Sequence, residues 1–267
     1  MIRDITIGQY YQADSVIHRM DPRVKLFATF LYLISLFLVT NYIGYLLAVA
    51  FLLFVIALSK VPISFMVRGL RSIVILMLFA VVFNLFLTPG EVLWTFWKLE
   101  ITKEGIISAA KMGSRLILLI MGSSVMTLTT TPNNLTDAME TSFRPLKIIK
   151  FPVHEIAMMM SIALRFIPIL IEETDKIMKA QMARGADFES GNIFKKAKSL
   201  VPLLVPLFVS AFRRANDLAT AMEARCYRGG DGRTKMKPLK YQRRDAIAYL
   251  VLILYFAACI YFGRLKL

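Results

Sequence analysis

Residues 21–60 read DPRVKLFATFLYLISLFLVTNYIGYLLAVAFLLFVIALSK, and between Lys25 and Lys60 no side chain carries a formal charge. A bilayer core of about 30 Å takes about 20 apolar residues as one helix. This run is too long for a single crossing and long enough for two, so it reads as a membrane hairpin, Leu26–Tyr42 and Ile43–Ser59, turning at Thr40-Asn41. Asp21-Pro22 marks the start of the first helix, because Asp caps an N-terminus and proline is preorganised at the first helical position.

Three further stretches qualify or nearly qualify as spans: Ser72–Thr88, Gly105–Thr129 and Ala246–Gly263. The first contains Asn84, which needs a hydrogen-bond partner in lipid. Between them, residues 89–104 read as a short external hairpin, with Trp94 and Trp97 at the headgroup level. Small residues at Ala109/Gly113 and Ala110/Ser114 suit close helix packing. Lys111 and Arg115 lie on the same helix. Charges there either snorkel to the interface or mark a substrate path.

Composition excludes the main soluble alternatives. Of 267 residues 57% are hydrophobic, against about 45–50% in soluble domains. The 33 Lys+Arg and 18 Asp+Glu give a net charge of +15. A disordered basic chain would not be this apolar. A nucleic-acid binder would not need long uncharged runs, so no nucleic-acid partner is expected. Two cysteines, Cys226 and Cys259, imply no disulfide framework and have no zinc-site spacing. The start, Met1-Ile-Arg-Asp-Ile-Thr, lacks the h-region and cleavage site of a signal peptide, so insertion is expected to proceed through the chain's own helices.

The positive charge also sets an orientation. With the N-terminus inside, residues 1–25, 60–71 and 131–244 are cytoplasmic and hold 27 of the Lys and Arg residues, against 5 outside. Cytoplasmic loops collect Lys and Arg, so the expected topology is N-terminus in and C-terminus out.

The largest cytoplasmic piece, residues 131–244, carries 20 basic and 11 acidic residues. Thr131-Pro132 repeats the helix-start device of Asp21-Pro22. Two apolar runs follow, Ile156–Ile171 and Leu200–Phe212, which contain Pro168 and Pro202/Pro206 respectively. At 16 and 13 residues both fall short of a comfortable span. They read as long proline-kinked helices under the membrane or within protein, with a seven-span arrangement as the alternative. Met158-Met159-Met160 open the first run. Such a patch either fills a core or offers an adaptable surface to another protein.

Each run continues into a polar helix that stops in the same way. A shift of 41 residues aligns Ala180, Ala183 and Arg184 with Ala221, Ala224 and Arg225. Singly, an Arg in a last turn complements the helix dipole, and a following Gly makes a C-cap. Their recurrence on consecutive helices suggests docking, because arginine offers a planar fork of donors to a partner's carboxylate.

Active-site chemistry is not suggested anywhere in the chain. There is no Gly-x-x-x-x-Gly-Lys-Ser/Thr for a nucleotide. Gly229-Gly-Asp-Gly-Arg-Thr-Lys has the wrong order and reads as a turn. His18 and His154 are the only histidines, and Glu172-Glu173 point apart on their helix. No enzyme activity and no cofactor are expected.

The stretch Ser15-Val-Ile-His-Arg-Met-Asp-Pro-Arg-Val-Lys25, the Thr-Thr-Pro132 after the fourth span and the two Ala-Arg tips together carry a resemblance. The chain resembles the transmembrane T component of energy-coupling factor (ECF) transporters, prokaryotic importers of vitamins and metal ions. The resemblance implies an all-α integral membrane protein, with about five transmembrane helices and a cytoplasmic three-helix coupling module containing two long coupling helices. The implied division is 1–130, 131–244 and 245–267. It also implies two ABC-type ATPases and a small membrane-embedded substrate-binding subunit as partners. The ATPase-docking motifs would be Ala183-Arg184-Gly185 and Ala224-Arg225-Cys226. Met158, Met159, Met160, Ile162, Leu203 and Leu207 would face the substrate-binding subunit. A conventional ABC permease or secondary transporter is the rival; it calls for polar residues along several spans, which are few here.

Overall fold

The computed structural model describes residues 10–39, 41–71, 73–96, 99–186, 188, 193–230, 236 and 238–264. Among them the chain forms nine α helices and one two-stranded hairpin. The helices are α1 (Pro22–Leu38), α2 (Tyr42–Ser59), α3 (Ile63–Arg71), α4 (Val74–Leu87), α5 (Lys103–Thr129), α6 (Pro132–Ser142), α7 (Val153–Ala183), α8 (Ile193–Ala224) and α9 (Arg243–Arg264). Strands β1 (Val92–Phe96) and β2 (Leu99–Thr102) pair antiparallel, giving the hairpin expected between α4 and α5. Trp97 lies outside the described residues. The chain divides into two compact units, Gly8–Ala138 with Leu239–Leu267, and Met139–Pro238.

The first unit is a helical bundle around α5, which packs against α1, α2, α3 and α4. Small residues let α4 approach closely. Gly105 is the tightest case, since a β-carbon there would stand 2.6 Å from the carbonyl oxygen of Leu85. Asn84 finds its partners in the same seam. Its Oδ1 accepts from Ser108 Oγ at 2.9 Å and Thr88 Oγ1 at 3.0 Å. The apolar core runs through Tyr32, Leu36, Leu52, Ile56, Leu118, Val125 and Tyr255. Within it the Tyr255 hydroxyl donates to Ser35 Oγ at 2.8 Å, and Ser35 in turn donates to the Tyr32 carbonyl at 2.7 Å.

Helix limits differ from the apolar runs in ways that follow from local chemistry. Helix α1 starts at Pro22, capped by Asp21, whose carboxylate accepts from the Arg23 amide at 2.9 Å. It ends at Leu38, because Tyr42 already belongs to α2. Residues 60–71, read above as a connection, contain the short helix α3 with strong apolar and polar faces. The third apolar run yields only the 14 residues of α4, about 21 Å at 1.5 Å per residue.

The main correction concerns α7. The expectation that both apolar runs are too short to cross does not hold for this helix on length. Its 31 residues continue unbroken through Pro168, and it is long and apolar enough to span a membrane, as are α2, α5 and α9. A proline removes one hydrogen bond without ending a helix whose neighbouring turns are intact. Pro202 and Pro206 lie inside α8 in the same way.

The Ser15–Lys25 stretch folds into a polar knot that joins three helix ends. His18 Nε2 donates to the Tyr11 carbonyl at 2.9 Å, so the neutral ring accepts at Nδ1 from Ser15 Oγ, 2.7 Å away. Burial, the largest influence, holds the His18 imidazole below its ordinary range, in keeping with that neutral form. Lys25 is buried and donates to the carbonyls of Thr129 at 2.8 Å and His18 at 3.2 Å, which ties α1 to the end of α5. Asp245 of α9 accepts from the Asp21 amide at 2.9 Å and from the Gln242 amide at 2.8 Å. The second bond is the returning half of a capping box. Arg23 pairs with the Asp21 carboxylate at 2.7 Å and lies over the Tyr241 ring, 3.9 Å from its centre.

Candidate functional site

The two Ala-Arg tips are built identically. At the end of α7, Arg184 is the C-cap and Gly185 follows with φ +87°. The Gly185 amide donates to the Met182 carbonyl at 3.0 Å, and the Ala186 amide to Gln181 at 2.9 Å. These are the two bonds of a Schellman cap. At the end of α8, Cys226 has φ +56°, its amide donates to Glu223 at 2.8 Å, and the Tyr227 amide donates to Met222 at 3.0 Å. Every donor and acceptor is displaced by the same 41 residues seen in the sequence. Ala183, Arg184, Gly185, Ala224, Arg225 and Cys226 are all exposed.

This equivalence shows what the one departure between the motifs costs. Cys226 occupies the left-handed position that Gly185 fills in the first tip, and a side chain there is strained by about 1 kcal/mol. Replacing Cys226 with Gly is therefore expected to stabilise the α8 end by up to about 1 kcal/mol. Gly185→Ala should destabilise the α7 end by a similar amount, since a β-carbon at Gly185 meets nothing within 4 Å and only the backbone cost remains. Opposite shifts of the thermal midpoint in matched detergent would check the pair; shifts of the same sign would refute it.

Helices α7 and α8 run antiparallel. Glu173 Oε2 lies 3.2 Å from Arg214 Nη2, while Gln181 Nε2, towards the end of α7, donates at 3.3 Å to the Pro202 carbonyl, near the start of α8. Glu173 and Arg214 are also related by 41 residues, so this ion pair sits at the centre of an approximate two-fold relation between the helices. Each tip lies eleven residues beyond its member of the pair. The tips therefore extend in opposite directions, up to about 33 Å apart at 1.5 Å per residue. The 41-residue offset relates the tips in the sequence; that Glu173 and Arg214, at the same offset, touch is seen only in the fold.

Of the residues expected to meet a membrane-embedded partner, Met159 and Met160 are exposed, Met158, Ile162 and Leu207 are half-buried, and Leu203 is buried. The inward position of Leu203 removes it from any open surface. The exposed apolar stripe on α8 runs instead through Val201, Val205, Phe208 and Phe212. Lys111 lies 4.9 Å from the Tyr42 ring centre, and Arg115 Nε donates to the Tyr45 hydroxyl at 3.1 Å with its guanidinium facing Phe37. These cations are held by aromatic side chains. No cluster of metal-binding side chains occurs among the described residues.

Long apolar helices joined through short connections define an all-α, multi-pass integral membrane protein. Residues 13–236 match the family described as cobalt transport protein (CbiQ). The chain is 56% identical over 247 residues to the energy-coupling factor transporter transmembrane protein EcfT of Ruminiclostridium cellulolyticum, covering 92% of each chain. It is 57% identical to that of Clostridium kluyveri, over 94% of this chain and 93% of the relative. Against that of Bacillus subtilis it is 45% identical, over 99% of this chain and all of the relative. The chain belongs to this family of energy-coupling factor transporter transmembrane components.

Proposed function

We propose that the chain is the non-ATPase scaffold of an ECF-type importer, passing the work of two cytoplasmic ABC-type ATPases to a separate substrate-binding membrane subunit that carries a vitamin or a metal ion. The observation that carries this reading is the pair of identically capped, exposed arginines at the far ends of two antiparallel helices. Two equivalent tips suit two equivalent partners. Arg184 and Arg225 would each enter a groove of one ATPase and pair with a carboxylate. Ala183, Gly185, Ala224 and Cys226 would leave room for the groove walls.

In this reading residues 1–130 and 245–267 form the membrane module and 131–244 the coupling module, with the N-terminus cytoplasmic and the C-terminus external. The exposed stripe Val201–Phe212, with Met159 and Met160, would bear the substrate-binding subunit. Nucleotide-driven closure of the ATPases would move the tips relative to each other about the Glu173–Arg214 centre and so reorient that subunit.

Co-purification tests the reading. The complex should lose both ATPases when Arg184 and Arg225 are changed together to Ala, while a correctly folded membrane chain remains. A double variant that keeps both ATPases and transports normally would end it.

A further inference from the structure

The bundle contains an apolar cavity of about 240 Å³ that the transport reading leaves unused. It is walled by α1, α2, α5 and α9, and near the start of α1 also by Val16, Ile17 and Met20 of the segment that precedes it. Engineered apolar cavities of about 150 Å³ stay dry and take a hydrocarbon guest. The charged lining residues, Lys25 and Arg244, lie together at the end of the bundle where α1 and α9 begin. Lys25 is committed through two bonds to carbonyls, which leaves a third N–H. Arg244 turns Nε and one terminal nitrogen to the side-chain oxygen of Gln242.

The cavity opens sideways. Helices α2 and α9 are joined at their far end, where Asn41 donates to the Phe262 carbonyl at 3.3 Å, and at mid-height, where Phe51 stacks on Tyr255 at 4.1 Å. Below that stack the cavity is lined by Phe54 and Leu58 of α2 and Ile247 and Val251 of α9, all of which are exposed. The cavity therefore reaches the surface between these four side chains, as a slot whose rim faces the surroundings of a membrane protein.

We infer that this slot binds one acyl chain of an anionic phospholipid, with the headgroup held against Lys25 and Arg244. The fit is one of charge and depth together. The apolar part runs about seven residues along α1, from Lys25 to Tyr32, or roughly 10 Å, and the cations among the described lining residues lie at its end. A zwitterionic lipid would fill the slot but gain less from the cations, and a polar solute would lose more hydration than the mostly apolar walls could replace. This assignment does not depend on the ATPase-docking reading.

The test uses the full chain, purified in mild detergent, stripped of lipid and supplied with phosphatidylglycerol or phosphatidylcholine, with retained lipid counted by native mass spectrometry. The chain should retain one phosphatidylglycerol in preference to phosphatidylcholine. Arg244→Gln should reduce that preference about fivefold, the usual worth of one cation near an anionic headgroup. Ala248→Phe, which fills the slot, should abolish retention with the thermal midpoint preserved; should that variant not fold, Ala28→Leu on the facing wall gives the same reading. Equal retention of the two lipids, an unchanged preference in Arg244→Gln, or undiminished retention in the filled variants would overturn the assignment.

Discussion

Changing Arg184 alone to Ala should weaken capture of one ATPase subunit by about tenfold to a hundredfold, the range expected for a lost hydrogen bond to a charged group. Arg225→Ala should do the same at the other end, with nearly equal size, because the two caps share one geometry. The tips lie on opposite sides of the Glu173–Arg214 pair, so each loss should be independent and the double variant additive. Lysine should rescue only part of the binding at either site, since it keeps the charge but not the planar fork. Transport should fall much further than binding in either single variant, because a scaffold moved from one end only has nothing to move against. The checks are subunit affinity by titration of the purified ATPase and uptake in reconstituted vesicles. Full uptake in Arg184→Ala would separate this arginine from energy coupling.

The tips themselves were legible because a Schellman cap is a local device. Ala-Arg followed by a small residue sets the last turn of a helix from sequence neighbours alone, and a 41-residue offset needs only counting. What the tips are spaced by was not legible in the same way. It depends on α7 and α8 running antiparallel and touching at Glu173–Arg214, a contact between residues far apart in the chain. The apolar face of α8 shows the limit from the other side. Leu203 and Leu207 look equivalent to Val205 and Phe208 in the sequence, since the helix is apolar on several faces. Only tertiary packing decides that Leu203 is buried and Phe208 exposed.

The bundle shows a similar division. Of the five apolar runs, three give helices long and apolar enough to cross a membrane, α2, α5 and α9, whereas α1 and α4 stop at 17 and 14 residues. Asp21-Pro22 and Thr131-Pro132 mark helix starts, which α1 and α6 bear out. Helix length was less legible, because hydrophobicity does not record where backbone geometry stops. Helix α4 is shorter than its run, and α7 extends well beyond its run on the C-terminal side. Asn84 needs a partner in lipid, and it finds three: Ser108 and Thr88 donate to its carbonyl oxygen and Met112 Sδ accepts from its amide nitrogen, residues unremarkable in the sequence. Beyond the helix start at Asp21-Pro22, the Ser15–Lys25 stretch carries a resemblance without a physical reason legible in the sequence. The reason lies in residues more than a hundred positions away, Thr129 and Asp245, which receive its donors.

Asp245→Ala should accordingly be among the most destabilising single changes in the membrane unit. The residue is 2% exposed, and its carboxylate accepts two backbone amides, one from Asp21 at the start of α1 and one from Gln242 at the start of α9. Alanine removes both acceptors and leaves the amides without them, at about 1–3 kcal/mol for a buried group left unpaired. The total should reach about 2–4 kcal/mol, with the buried Asp21 amide contributing the larger share. Asparagine retains one carbonyl oxygen, so Asp245→Asn should lose roughly half as much. Reversible unfolding in mixed micelles would measure the series. The order expected is wild type, then Asn, then Ala, and an alanine variant as stable as wild type would show that the knot does not hold the two helix ends. The chemistry also separates this change from the tip variants. Loss of Asp245 should lower stability and uptake together, whereas loss of Arg184 or Arg225 should lower uptake in a chain that unfolds at its ordinary midpoint.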